Sequence, residues 1–145
     1  MEPLEQQRHV QAIAQRFVEV APQGWARLVG NWEAVPGSDG RPVLNYLTLA
    51  VVDLGDRWGF GQIDYDEPLY DLVADLRVAA EADGPEGTWT VLDLEVDADG
   101  TFRTDFSYDP PKRTNGILDE ESIGRFENYL QGWIEQHGPT PGQAS

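Results

Sequence analysis

Two aspartates, Asp93 and Asp105, and a second acidic group, Asp64, Asp66 and Glu67 around Tyr65, are the residues whose types and spacing could do chemistry. Two carboxylates held about 5 Å apart can divide acid–base work in a hydrolase. Aspartates spaced along a loop can hold calcium, and acids beside an aromatic can anchor a partner protein. The three possibilities meet in DADGTFRTDFSYDPP (97–111), which carries four aspartates and three aromatics.

The calcium loop fails on spacing. An EF-hand needs acidic ligands at positions 1, 3 and 5, glycine at 6 and glutamate at 12. With Gly100 at the sixth position, Glu95, Asp97 and Asp99 fit, but Phe106 takes the twelfth and cannot ligate. Strand patterns, rather than helices, also flank this loop. Catalysis lacks companions for its carboxylates. His9 and His137 lie near the termini in helical patterns, and there is no Gly-x-Ser-x-Gly elbow or His-rich metal spacing. GFGQID (59–64) puts Asp64 where a dinucleotide fingerprint needs its third glycine. No catalytic residue, cofactor or metal site is therefore expected. A carboxylate-based hydrolase resting on Asp93 and Asp105 stands behind a binding role.

The elements that must hold these side chains follow from periodicity. Val10, Ile13, Ala14, Phe17 and Val18 give an apolar face to a helix over 3–21, with Pro3 in its first turn and Pro22 and Gly24 at its end. Runs 24–35, 43–53 and 57–63 read as strands, the second apolar on both faces and so central. DYDEPLYDLVADLRVAAEADG (64–84) opens at Asp66 and Pro68 into a second helix. Strands over 88–97 and 101–109 follow. A last helix starts near Asp119, where Asp119, Glu120 and Glu121 suit the dipole, and buries Ile123, Phe126, Leu130, Trp133 and Ile134. The predicted order is α-β-β-β-α-β-β-α. That is a single α+β domain over 1–137, with a largely antiparallel sheet and a flexible C-terminal tail over 138–145.

The hairpin register can be argued residue by residue. A three-residue loop, Ala98-Asp99-Gly100, with Gly100 left-handed, sets Val96 opposite Phe102, Leu94 opposite Thr104, Leu92 opposite Phe106 and Thr90 opposite Tyr108. That face is apolar. A slip of one residue would set Leu94 against Arg103 and Leu92 against Asp105. On the other face Glu95 meets Arg103, and Asp93 meets Asp105. Like charges directly opposed cost several tenths of a kcal/mol. Water screens such a pair on an exposed face; alternatively, a cation from a partner settles between them.

Composition narrows the partner. The chain has 145 residues, 10 Lys and Arg against 26 Asp and Glu, and a net charge of −16. Such a field repels nucleic acid and anionic membrane and draws basic partners. With no cysteine, disulfides, thiolate metal sites and cysteine nucleophiles are excluded. MEPLEQQRHV is acidic and lacks an apolar core, so no signal peptide is expected, and no apolar run reaches membrane-spanning length. A soluble, cytoplasmic chain follows.

WTVLDLEVDADGTFRTDFSYD, Trp89 to Asp109, resembles the hairpin of the YezG-like immunity proteins. There a Trp-led strand, a glycine-containing turn and an aspartate–aromatic–x–Tyr end recur. The wider order is similar too: an amphipathic helix closing before Gly24-Trp25, paired strands, then an acidic stretch opening a helix. After Asp109, PPKRTNGILDEESIGRFENYLQGW departs from the family pattern, so the resemblance names no particular toxin. It implies an acidic cytoplasmic antitoxin that binds and blocks a toxin domain, often a nuclease with a basic cleft. It supplies no catalytic residues. Contact with that partner is expected at Asp64, Tyr65, Asp66, Glu67, Asp93 and Asp105. The competing expectation is a small-molecule or peptide binding module with Trp25, Trp32, Trp58 and Trp89 around a pocket. Core packing is the simpler role for those four.

Overall fold

A computed structural model describes residues 2–110 and 120–141, with the side chains of 120–123 outside the described set. Among the described residues, four helices and a five-stranded antiparallel sheet form an α+β fold. The chain runs α1 (Pro3–Glu19), β1 (Trp25–Val35), β2 (Val43–Asp53), β3 (Trp58–Gly61), α2 (Glu67–Glu81), a 3-10 turn (Pro85–Gly87), β4 (Val91–Asp97), β5 (Phe102–Ser107), α3 (Glu120–Glu127) and α4 (Tyr129–His137). Strand order is β3-β2-β1-β4-β5, so the two long strands and β4 are interior.

Alternation along β1 divides the molecule into two faces. Leu28, Trp32 and Ala34 point to one side, beside Ala50 and Leu44 of β2 and Leu92, Leu94 and Val96 of β4. On that side lie α1, through Val10, Ile13, Ala14 and Phe17, and α2, through Leu69, Val73, Leu76 and Ala80. Gly30 belongs here because a Cβ would come 2.4 Å from the Trp32 ring. Val29 of β1, Leu49 and Val51 of β2 and Trp58 of β3 point to the other side, where Trp133 of α4 joins them.

The hairpin forms in the predicted register. Val96 meets Phe102, Leu94 meets Thr104, Leu92 meets Phe106, Glu95 meets Arg103 and Asp93 meets Asp105. Gly100 has φ +91, and the Asp97 amide donates to Thr101 O across the turn at 2.8 Å. Phe102 and Phe106 pack on the core as expected. Tyr108 does not: pairing ends at Ser107, and the ring is 56% exposed. The strand expected from 88 begins at 91. Pro85–Gly87 makes a 3-10 turn, and the Thr88 hydroxyl donates back to Gly84 O at 2.7 Å.

The last helix is interrupted at Asn128. Its side-chain amide donates to Gly124 O at 2.9 Å, and a glycine lies four residues to either side. Asn128 keeps backbone bonds to Gly124 and Gly132, so the break is a local bend. Phe126, Leu130, Trp133 and Ile134 pack inward as predicted. The expected start at Asp119, the acidic first turn, the burial of Ile123 and the tail residues 142–145 lie outside the described residues. Among the described residues no helix is long and apolar enough to cross a membrane.

Candidate interaction surface

The acidic mouth of α2 splits into residues that build the fold and residues that face solvent. Asp66 is the N-cap: its Oδ1 accepts from the Leu69 amide at 3.0 Å. The guanidinium of Arg16, from α1, donates to the same carboxylate. The Arg16 hydrogen bond, with the cap, holds Asp66 below the usual carboxylate range despite some desolvation. Asp66 therefore clasps two helices and is not a free contact.

Tyr65 is a correction as well. The sequence suggested an exposed ring, yet its hydroxyl accepts from Trp32 Nε1 at 2.7 Å. The ring stacks on Tyr46, centroids 3.8 Å apart and planes 5° off parallel. Burial pushes the hydroxyl's pKa up. Tyr65 satisfies a polar atom of the buried tryptophan and closes the core's edge.

Asp64 and Glu67 are exposed and form no ion pair among the described residues. Glu67, Asp71 and Asp75 follow one another at four-residue steps on the exposed side of α2. At 3.6 residues per turn this is one stripe. Asp75 receives Arg41 Nη1 at 3.1 Å, both side chains about half exposed. Asp71 and Asp75 escaped sequence reading, although their spacing from Glu67 was the signal that could have found them.

The opposed aspartates of the hairpin have unlike surroundings. Asp105 is exposed. Asp93 is part-buried, and Arg125 of α3 donates to its Oδ2 at 2.6 Å. Asp93 does meet a cation, and it comes from the chain itself rather than from a partner. Burial pushes the Asp93 carboxyl above its ordinary value, and Arg125 offsets this only in part. Asp93 thus holds α3 to the sheet and is not an open contact.

The same face of β4 continues through Glu95 and Asp97. Arg27 Nε donates to Asp97 at 2.6 Å, and Arg103 Nη1 donates to it at 3.0 Å. Burial raises the Asp97 carboxyl, but these two bonds prevail and hold it low. The Tyr129 hydroxyl donates to Glu95 and accepts from Arg27 at 3.3 Å. Burial and the Glu95 bond push its pKa up to about 12. The Arg27 guanidinium also lies 4.9 Å from the Trp133 ring centre. Acids on β4 and cations from β1, β5 and α3 thus form the seam under the C-terminal helices.

The tryptophans do not share one pocket. Trp32 and Trp89 are fully buried in the larger core. Trp25 and Trp58 line a shallow cleft of about 600 Å³ with Asp53 and Gly55. Among the described residues no three His, Asp or Glu side chains are grouped to hold a metal ion. His137 accompanies Trp133, rings stacked 3.8 Å apart. No protein-family model matches this chain, and no curated protein matches it in sequence.

Proposed function

We propose that the chain is an immunity protein, an antitoxin that binds a basic toxin domain and blocks its active site. One observation carries this reading: Asp64, Glu67 and Asp71 are exposed carboxylates that form no ion pair among the described residues, two of them on one stripe of α2. The chain's other clustered acids, in the β4 seam, are already answered by Arg27, Arg103 and Arg125. The unanswered ones are free to meet a partner's cations.

A nuclease cleft built for phosphates presents such cations. A chain of net charge −16 can occupy it in place of nucleic acid. Electrostatic steering brings association toward about 10⁸ M⁻¹s⁻¹ at low salt. An antitoxin needs that speed, since unbound toxin harms its own maker. The likeness of Trp89–Asp109 to the YezG-like hairpin supports the same role. That hairpin acts here as a fold signature, with Asp105 its one outward acid among the six expected contacts.

The test is co-expression with the effector domain of a toxin encoded beside this chain. The two should co-purify at equal stoichiometry, and the toxin's activity should vanish at one equivalent. A neighbouring gene with no toxin domain, or a toxin fully active in the presence of the chain, rejects the role.

A further inference from the structure

The buried side of α2 carries a cation that the fold leaves unanswered. Arg77 is only 6% exposed, yet its Nε and Nη1 have no hydrogen-bond partner among the described residues. No ion pair to it forms among those residues either. Glu81, one turn on, is exposed and attracts it only at a distance. Burial holds the guanidinium's pKa below its ordinary value. A buried charge without a partner is costly and calls for an acceptor or a counter-charge.

Arg77 lies in the wall of a cleft of about 470 Å³. Pro36 and Pro42, from the β1–β2 connection, and Pro85, from the 3-10 turn, make its apolar sides. Gly37, Gly84, Thr88 and Glu81 also line it. One cation among apolar walls is the reverse of the acidic surface elsewhere.

We propose that this cleft binds a small free carboxylate with a compact apolar body, its carboxylate on the Arg77 guanidinium and its body against the prolines. The guanidinium's planar array of donors matches a carboxylate in geometry. A phosphate dianion would bring two charges to a single cation with Glu81 at the rim. Chloride would leave the apolar walls unused. The chain's net charge does not forbid an anion here, because salt screens distant charges beyond about 8 Å under physiological conditions. The site is separate from the acidic stripe, and its failure would leave the antitoxin reading intact.

Isobutyrate is the probe, titrated into the full-length chain at constant ionic strength and followed by two-dimensional amide spectra. Saturable shifts are expected at the Arg77 Nε–H and the amides of Gly37, Gly84 and Thr88. Acetate, with less apolar body, should bind several-fold more weakly. Glu81→Gln should tighten isobutyrate binding by about threefold, by removing a like charge from the rim. Arg77→Met should abolish the shifts and raise the unliganded Tm by about 2 °C, since it removes an uncompensated charge at similar volume. Equal responses to chloride or phosphate, no saturable shift, weaker binding in Glu81→Gln, or undiminished binding in Arg77→Met would each overturn the proposal.

Discussion

The two faces of the sheet are held by different physics. Under α1 and α2 the contact is chiefly apolar, with Phe17 edge-on to Trp32 at 5.8 Å and Leu, Ile and Val around them. Among the described residues, Val29, Leu49, Val51, Trp58 and Trp133 are the buried apolar residues under α3 and α4. Half-buried Phe126, Leu130 and Ile134 pack beside them, and the contact continues as the seam of Arg27, Arg103, Arg125 and Tyr129 on Asp93, Glu95 and Asp97. Apolar burial stabilises in proportion to area. Charge pairs lose most of their attraction to desolvation and contribute mainly to where things sit. The first face should therefore set global stability, and the second should set how firmly the C-terminal helices are latched.

Tryptophan removal gives the largest test of that contrast. Trp32→Ala should cost about 4 kcal/mol, because it leaves a cavity against Phe17 and strips Tyr65 of its donor. Trp133→Ala should cost nearer 2 kcal/mol in urea denaturation. Its damage should also be local, with amide exchange rising along α4 while α1 stays protected. Equal losses, or equal deprotection of α1, would mean that the two faces form one cooperative unit.

Next comes the latch itself. Arg125→Ala strands the part-buried Asp93, whose Oδ1 already lacks a partner among the described residues. The cost should be about 1–2 kcal/mol. Asp93→Asn combined with Arg125→Ala should recover part of it, since no charge is then left stranded. A double variant as unstable as the sum of both singles would show that the pair contributes no coupling.

Acid titration separates the seam's two aspartates. Asp97 lies below its ordinary pKa of 3.8 when folded, so its stabilisation is present above that value and is lost as pH falls through the folded pKa. Asp93 lies above 3.8, so the folded state takes up its proton first and gains stability as pH falls toward 3.8. In melts from about pH 6 to about pH 3, Asp97→Asn should flatten the loss at the acid end. Asp93→Asn should remove a gain at the upper end. Swapped windows would reverse the assignment of burial and pairing to these residues.

The apolar face was legible in the sequence because its information is local. Helical spacing named Val10, Ile13, Ala14 and Phe17, and two constraints fixed the β4–β5 register, the apolar face and the Gly100 turn, with the Glu95–Arg103 pair following from it. The long-range charge pairs on both faces were not legible. Arg16 meets Asp66 across 50 residues, Arg125 meets Asp93 across 32 and Arg27 meets Asp97 across 70. Nothing in the local pattern marks those partners, so Asp66 and Asp93 looked like open contacts. Tyr65 misled for a similar reason: its neighbours Trp32 and Tyr46 arrive from β1 and β2.

These long-range pairs decide which acids should be neutralised to test partner binding. Including Asp66 would confuse charge with structure, since its loss would unclasp α1 from α2 and remove a helix cap. Asp64→Asn, Glu67→Gln and Asp71→Asn together remove three exposed charges and touch no described ion pair. Stability should stay within about 0.5 kcal/mol. Association with a basic toxin domain should slow by about tenfold at low salt and lose much of its salt dependence. Dissociation should change less, because steering acts on encounter more than on the docked state. Asp93→Asn is the matched control from the other face: one charge fewer, but a charge already held by Arg125. It should leave the on-rate nearly unchanged. If it slows association as much per charge as the triple variant does, the partner senses net charge alone, and the α2 stripe loses its claim to be the docking surface.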